Sequence, residues 1–158
     1  MLWINLLHCY QPPKSDAPII AEATEKSYIR IIRALEKNST IKFTFNISGC
    51  LLLRWEELGY SGLIKRIKNL IAQGRIELIG SAAYHPILPL IHKEEAIKQI
   101  KENESILKKF FGNINASNSK PSGFFLPELA YSAEIAKIIK AMGYGWIILD
   151  EIAFCGKL

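Results

Sequence analysis

Twice in this chain an amphipathic helical stretch runs into a glycine and then, almost at once, into a short apolar run: Gly74 leads into Ile76–Gly80, and Gly143 into Trp146–Leu149. A glycine closes a helix because it tolerates the left-handed backbone of the last turn, and an apolar run of this length suits a buried strand. Strands separated by helices cannot be joined by tight turns. The helix must cross back over the sheet, so the strands run parallel and the crossovers are right-handed. The rest of the chain fits the same plan. Leu2–His8 predicts strand one and Ile41–Ile47 strand two. Gly123–Leu126 predicts strand four, stopped by Pro127, which has no N–H to give a ladder. Apolar residues recur at helical spacing in Ala21–Asn38, from Ser61 to Gly74, in Lys93–Phe111 and in Ala133–Met142, and Cys50–Leu58 predicts a shorter helix closed by Gly59. The fold class is α/β, with about five parallel strands, and a length of 158 residues suits one domain.

Two stretches carry no helical period. Ser81–Ile91, with Pro86 and Pro89, is expected to loop over the surface, and the Asn- and Ser-rich Gly112–Ser122 is expected to be the most mobile segment. Met1–Leu7 is apolar but too short for a membrane span and lacks the basic flank of a signal peptide. No charge-free run elsewhere is long enough to span a bilayer, so a soluble cytoplasmic protein is expected. Three widely spaced cysteines, Cys9, Cys50 and Cys155, show no C-x-x-C pair, which argues for reduced thiols and against a disulfide framework or structural zinc. The formal charge of +5 comes from lysines that alternate with apolar positions, as on solvated helix faces. No basic run is interleaved with aromatics, so neither nucleic acid nor a membrane is an expected partner.

In a parallel sheet the carboxyl ends of all strands lie on one rim, where reacting groups collect. Strand one brings His8, Tyr10 and Gln11 there; strand two, Asn46 and Ser48; strand three, Ser81, Tyr84 and His85; strand four, Glu128; strand five, Asp150 and Glu151. The opposite rim receives Lys42, Gly74, Arg75 and Gly145, read as an ordinary solvated set. A cleft of imidazoles, amides, phenols and carboxylates suits a polyhydroxylated substrate, which needs many hydrogen bonds and ring faces. Glu128 is the candidate nucleophile or general acid, although it could merely face the positive end of the next helix. Glu77, inside strand three, either faces a polar interior or marks an exposed edge. A Cys9 nucleophile is disfavoured, because alternation sends His8 and Cys9 to opposite faces. His8, His85 and His92 lack the spacing of a metal motif, so no metal and no cofactor is expected. Metal-dependent polysaccharide deacetylases, a rival from a related topology, use an Asp-Asp pair after an early strand, where this chain has Thr44-Phe45-Asn46-Ile47.

Three stretches also carry a family resemblance. His8-Cys9-Tyr10-Gln11-Pro12 resembles the first signature of glycoside hydrolase family 57, the α-amylase and 4-α-glucanotransferase group. Gly74–Gly80, running on to Tyr84-His85-Pro86-Ile87-Leu88-Pro89, is similar to the second, and Gly123-Phe124-Phe125-Leu126-Pro127-Glu128 to the third. The resemblance implies a TIM-like (β/α)7 barrel and retaining chemistry on α-glucans without a cofactor. Glu128 would be the nucleophile, with His8, Gln11 and His85 near the substrate; Tyr10, Tyr84 and Asp150, from the same rim, are the further expected substrate-binding residues. In that family the acid/base is an aspartate of a downstream fourth signature, and nothing here resembles it. The expectation is therefore the amino-terminal part of such a barrel, inactive by itself, whose open seam is closed by a carboxyl-terminal partner or by self-association. The alternative from another class is a catalytically silent carbohydrate-binding remnant or partner subunit.

Overall fold

A computed structural model describes residues 4–112 and 121–156. Five strands, β1 (Leu6–Cys9), β2 (Phe43–Ile47), β3 (Ile76–Ile79), β4 (Gly123–Phe124) and β5 (Trp146–Ile147), pair in parallel, in the order β1-β2-β3 and β4-β5. Gly80 joins the two groups: its N–H donates to Gly123 O and its carbonyl accepts from Phe125 N, both at 2.8 Å. Strand order thus follows chain order throughout. That is the winding of a barrel, in which every crossover adds the next strand to the same edge. Strand four pairs over fewer residues than the apolar run Gly123–Leu126 predicts, because past Phe125 its backbone turns into the Pro127–Leu129 3-10 turn.

The helices are α1 (Ala17–Ala23), α2 (Ile29–Lys37), α3 (Gly49–Glu57), α4 (Ser61–Ala72), α5 (Lys93–Phe111), α6 (Ala133–Ala141) and α7 (Glu151–Cys155). Their apolar stripes bury one face of the sheet: Cys9, Phe45, Ile47, Ile76 and Leu78 pack with residues of α1–α5, and Phe124 and Leu126 with residues of α5 and α6. Residues between them in sequence point the other way. Register pairs Leu6 with Thr44 and His8 with Asn46, then Thr44 with Glu77 and Asn46 with Ile79, so these form rows across the inner face. Glu77 is exposed in such a row and accepts from Thr44 Oγ1 at 3.1 Å. Gly80 and Gly123 admit large neighbours at the junction of β3, β4 and β5. A Cβ on Gly123 would lie 2.1 Å from the Trp146 ring, and one on Gly80 2.5 Å from that of Tyr144.

Helix α1 starts at Ala17 rather than Ala21, because Pro18 fits a first turn that needs no N–H there. Between α1 and α2 the chain makes a π-helical turn, Thr24–Tyr28. Thr24 Oγ1 donates back to Ile20 O at 2.7 Å and accepts from Trp55 Nε1 at 2.9 Å. A hydroxyl bonding back to the preceding turn competes with the helix ladder and loosens it locally. Asn103, fully buried in α5, accepts from Gly49 N at 2.9 Å and so serves the start of α3.

Two expectations are corrected. Ser81–Ile91 is only in part a surface loop: Tyr84, Ile87 and Leu90 are exposed, but Ser81, Ala82, Ala83 and Leu88 are fully buried. Its backbone is satisfied by the helix it crosses, with Ala83 N on Gln99 O at 3.1 Å and Tyr84 N on Gln99 Oε1 at 3.2 Å. Arg75 does not belong to a solvated rim either. It is buried, donating to Ile41 O at 2.8 Å, to Leu35 O at 3.0 Å and to Asn38 O, and it ties the end of α2 to the start of β2. Hydrogen bonds to a charged donor are each worth about 1.5–3 kcal/mol. Arg75→Met should therefore lower unfolding stability by about 3 kcal/mol, read as a shift of the urea midpoint at unchanged slope. A shift below about 1 kcal/mol would mean those carbonyls are equally well served by water. The greater part of Gly112–Ser122, the segment expected to be mobile, lies outside the described residues.

Candidate active site

Side chains from four strand ends converge on the rim. His8 rises from β1 on the inner face, and its Nδ1 lies 2.7 Å from Oδ1 of Asn46 on β2, whose Nδ2 faces Gly80 O at 3.5 Å. His85, carried past β3 by the buried segment, stacks on Tyr10 with ring centroids 4.2 Å apart and on His8 at 4.7 Å. Phe125, just past β4, stacks on His8 at 4.6 Å and lies 6.5 Å from His85. Glu128 follows on the 3-10 turn, its Oε1 3.0 Å from His85 Nε2. The carboxylate itself is open, with 65% of the side chain exposed against 3% for His85.

The backbone at this point is unusual. His85, Glu128 and Leu129 have φ of 57°, 56° and 53°, and they are the non-glycine residues with positive φ among those described. Left-handed backbone costs an L-residue about 1–2 kcal/mol, and such strain clusters where function requires a fixed geometry. Here it aims Glu128 outward between two proline-flanked turns.

The other sequence candidates sit differently. Gln11 turns its amide to Tyr28 Oη at 3.2 Å, and that hydroxyl donates to Tyr10 O at 3.0 Å; both brace the loop after β1. Tyr84 is exposed beside α5, outside the ring stack. Asp150 caps α7, accepting from Ala153 N at 2.6 Å. His92 precedes α5 in a cavity of about 340 Å³ against the start of α6, apart from the other histidines. Among the described residues, no three His, Cys, Asp or Glu side chains are grouped to hold a metal ion. Phe125 was not among the candidates, being an apolar residue in an apolar run; only strand alternation against Phe124 marks it as inward-facing. Asn46 is legible as a polar residue in the middle of an apolar strand.

Burial holds the His8 imidazole below its ordinary value. The hydrogen bond to Asn46 opposes that shift, neighbouring His85 adds to it, and Glu128 works against it. Cys9, one residue on, is packed in the opposite core, where burial pushes its thiol up to about 12, so it offers no thiolate. The sign for His8 is clear: the folded state binds its proton less tightly than the unfolded chain. Its stabilising contribution is present above the ordinary value of 6.5 and is lost as pH falls through the lower folded value. Urea midpoints should therefore drop between pH 7.5 and pH 5 more steeply for wild type than for His8→Gln. Parallel curves would show that His8 does not carry the dependence.

Comparison with known proteins identifies the family and agrees with the fold. The Glycosyl hydrolase family 57 model matches residues 6–157. An α-amylase of Pyrococcus horikoshii is 30% identical over 148 residues, covering 94% of this chain and 22% of the relative. α-Amylase 1 of Dictyoglomus thermophilum is 29% identical, covering 94% and 21%. The crystal structure of a 4-α-glucanotransferase from Thermococcus litoralis superposes with a TM-score of 0.86 at 25% identity, over 96% of this chain and 23% of that one. The chain spans about a fifth of the length of the curated relatives it matches. With the family model running nearly end to end and the strands wound in sequence order, the chain belongs to glycosyl hydrolase family 57.

Proposed function

We propose that Glu128 is the nucleophile of a retaining reaction on α-glucosidic bonds, and that the acid/base comes from outside these 158 residues. The observation that carries the reading is the exposed Glu128 carboxylate held by a left-handed turn at the strand-end rim. The substrate class follows from relatives named α-amylase and 4-α-glucanotransferase. Glu128 would attack the anomeric carbon, displacing the leaving sugar and forming a glycosyl ester. His8 and Tyr10 would meet the sugar from the inner face. A retaining pair stands about 5–5.5 Å apart, and Asp150 spends its carboxylate on the cap of α7. The ester partitions between water and a sugar hydroxyl, which is the difference between hydrolysis and transfer.

The same reading includes a polypeptide that covers the free sheet edges. Among the described residues, β1 and β5 each pair on one side only, and Trp146, Ile152 and Phe154 are exposed near the second edge. Free buried Cys9 and Cys50 support a reducing, cytoplasmic compartment; no helix among the described residues is long and apolar enough to cross a membrane.

The test incubates the chain with maltooligosaccharides and, separately, with α-glucosyl fluoride, a substrate that needs little acid assistance. The expected result is a mass increase of one glucosyl group on Glu128 from the fluoride and no sustained sugar release from the oligosaccharide. Binding without an adduct would favour a silent carbohydrate-binding subunit. Sustained release abolished by Asp150→Asn would make Asp150 the acid.

A further inference from the structure

We propose that His85 is a positioning residue for Glu128, donating from Nε2 to the carboxylate and holding it for attack, and that it makes no contact with the sugar. The proposal rests on Glu128 being the nucleophile. The His85 side chain is 3% exposed, so no sugar hydroxyl reaches it, while the Glu128 side chain, whose carboxylate it holds at 3.0 Å, is 65% exposed. A buried anchor and an open reacting group is the arrangement that orients a nucleophile without occupying its substrate side. The two residues lie 43 positions apart, yet both are left-handed and each is turned toward the other. Independent strain at two partners of one hydrogen bond points to that bond as what the local backbone serves.

The hydrogen-bond arithmetic also assigns the proton. His85 Nδ1 is buried and has no hydrogen-bond partner among the described residues. A proton there would be an unsatisfied buried donor, so the neutral ring carries it on Nε2, facing the carboxylate. His8 is the reverse. Its Nδ1 faces the Asn46 carbonyl oxygen at 2.7 Å and carries the proton, which leaves Nε2 as an acceptor. Two imidazoles stacked at 4.7 Å thus stand in opposite tautomers, one presenting a donor to the nucleophile and the other an acceptor.

The test combines imidazole ¹⁵N NMR on the whole chain with the rate of Glu128 labelling by α-glucosyl fluoride. His85 should show an Nε2–H tautomer whose resonance moves in Glu128→Ala, and His8 an Nδ1–H tautomer that does not change. His85→Ala should slow labelling roughly 10- to 100-fold, as a misplaced reacting group does. His85→Gln, whose amide N–H substitutes for Nε2, should recover most of that rate. The fluoride concentration at half-maximal rate should stay within about twofold in both variants, since His85 touches no sugar. An Nδ1–H tautomer for His85, a resonance indifferent to Glu128→Ala, or a Gln variant as slow as Ala would overturn the proposal. So would a tenfold rise in half-saturating fluoride, which would make His85 a substrate contact. If wild type is not labelled, the nucleophile reading fails and the role in attack with it; the NMR arm then still decides the hydrogen bond separately.

Discussion

Replacing Glu128 by glycine should abolish covalent labelling and at the same time make the fold more stable. The first effect is the loss of the attacking group, expected at more than about 10³-fold, or roughly 4 kcal/mol of barrier. The second comes from the backbone: Glu128 sits at φ 56° and ψ 21°, where any residue with a Cβ is strained by about 1–2 kcal/mol. Glycine removes that strain but has more freedom to lose on folding, about 0.5–1 kcal/mol. By these two figures the balance runs from about zero to a gain of about 1.5 kcal/mol, with water entering from the open side to replace the carboxylate at His85 Nε2. Glu128→Gln separates the contributions. It keeps the Cβ, the strain and an acceptor for His85, but not the nucleophile, so it should lose labelling as fully as glycine without the gain in stability. Urea midpoints of the three proteins decide it. A glycine variant less stable than the glutamine one would mean that the turn is held by side-chain contacts and stores no strain.

That turn also shows where reading the sequence reached its limit. Pro127 ending an apolar run put Glu128 at a strand end, and the β-α alternation put His8, Tyr10, His85 and Glu128 on one rim. Periodicity and proline are local signals, and with the β-α alternation they were enough for the number and parallel direction of the strands, while their order around a barrel was implied only by the family resemblance. The left-handed backbone of His85 and Glu128 was not legible, because neither residue is glycine or asparagine and the strain is imposed by contacts distant in sequence. Arg75 was misread for a related reason. Beside Gly74, at the start of a strand, it has the local pattern of a solvated turn. Only the fold brings the ends of α2 and β2 over it, with carbonyls that need a donor. Ser81–Ile91 lacks a period and so read as surface. Its burial depends on Gln99, whose side chain and carbonyl both accept from it, and one acceptor in a long amphipathic helix gives no such sign. Asn103 was more accessible to inference: it falls on the stripe of Ala96, Ile100 and Leu107, and a polar residue on a buried stripe must have a partner.

Trp55→Ala should be the most destabilising single truncation in the helical layer, at about 3–5 kcal/mol, and its effects should reach the rim. Trp55 is 1% exposed and among the largest fully buried side chains. Its indole N–H donates to Thr24 Oγ1 at 2.9 Å, and its ring meets Tyr28 edge-on at 5.3 Å. Tyr28 in turn donates to Tyr10 O at 3.0 Å and accepts from Gln11 Nε2 at 3.2 Å, fixing the loop that carries Tyr10 against His85. Truncation therefore opens a cavity under the π-helical turn and frees the bracing tyrosine. Trp55→Phe separates packing from the hydrogen bond. It fills most of the space and leaves Thr24 its bond to Ile20 O, so the cost should fall to about 1–2 kcal/mol, the range for a smaller cavity with one lost hydrogen bond. Denaturant unfolding gives the energies, and hydrogen exchange at Tyr10 and Gln11 gives the reach. Faster exchange there in Trp55→Ala but not in Trp55→Phe is the expected pattern, since only alanine removes the ring that Tyr28 leans on. Unchanged exchange in both would confine Trp55 to the core and leave the first strand's loop to be held by the imidazole stack.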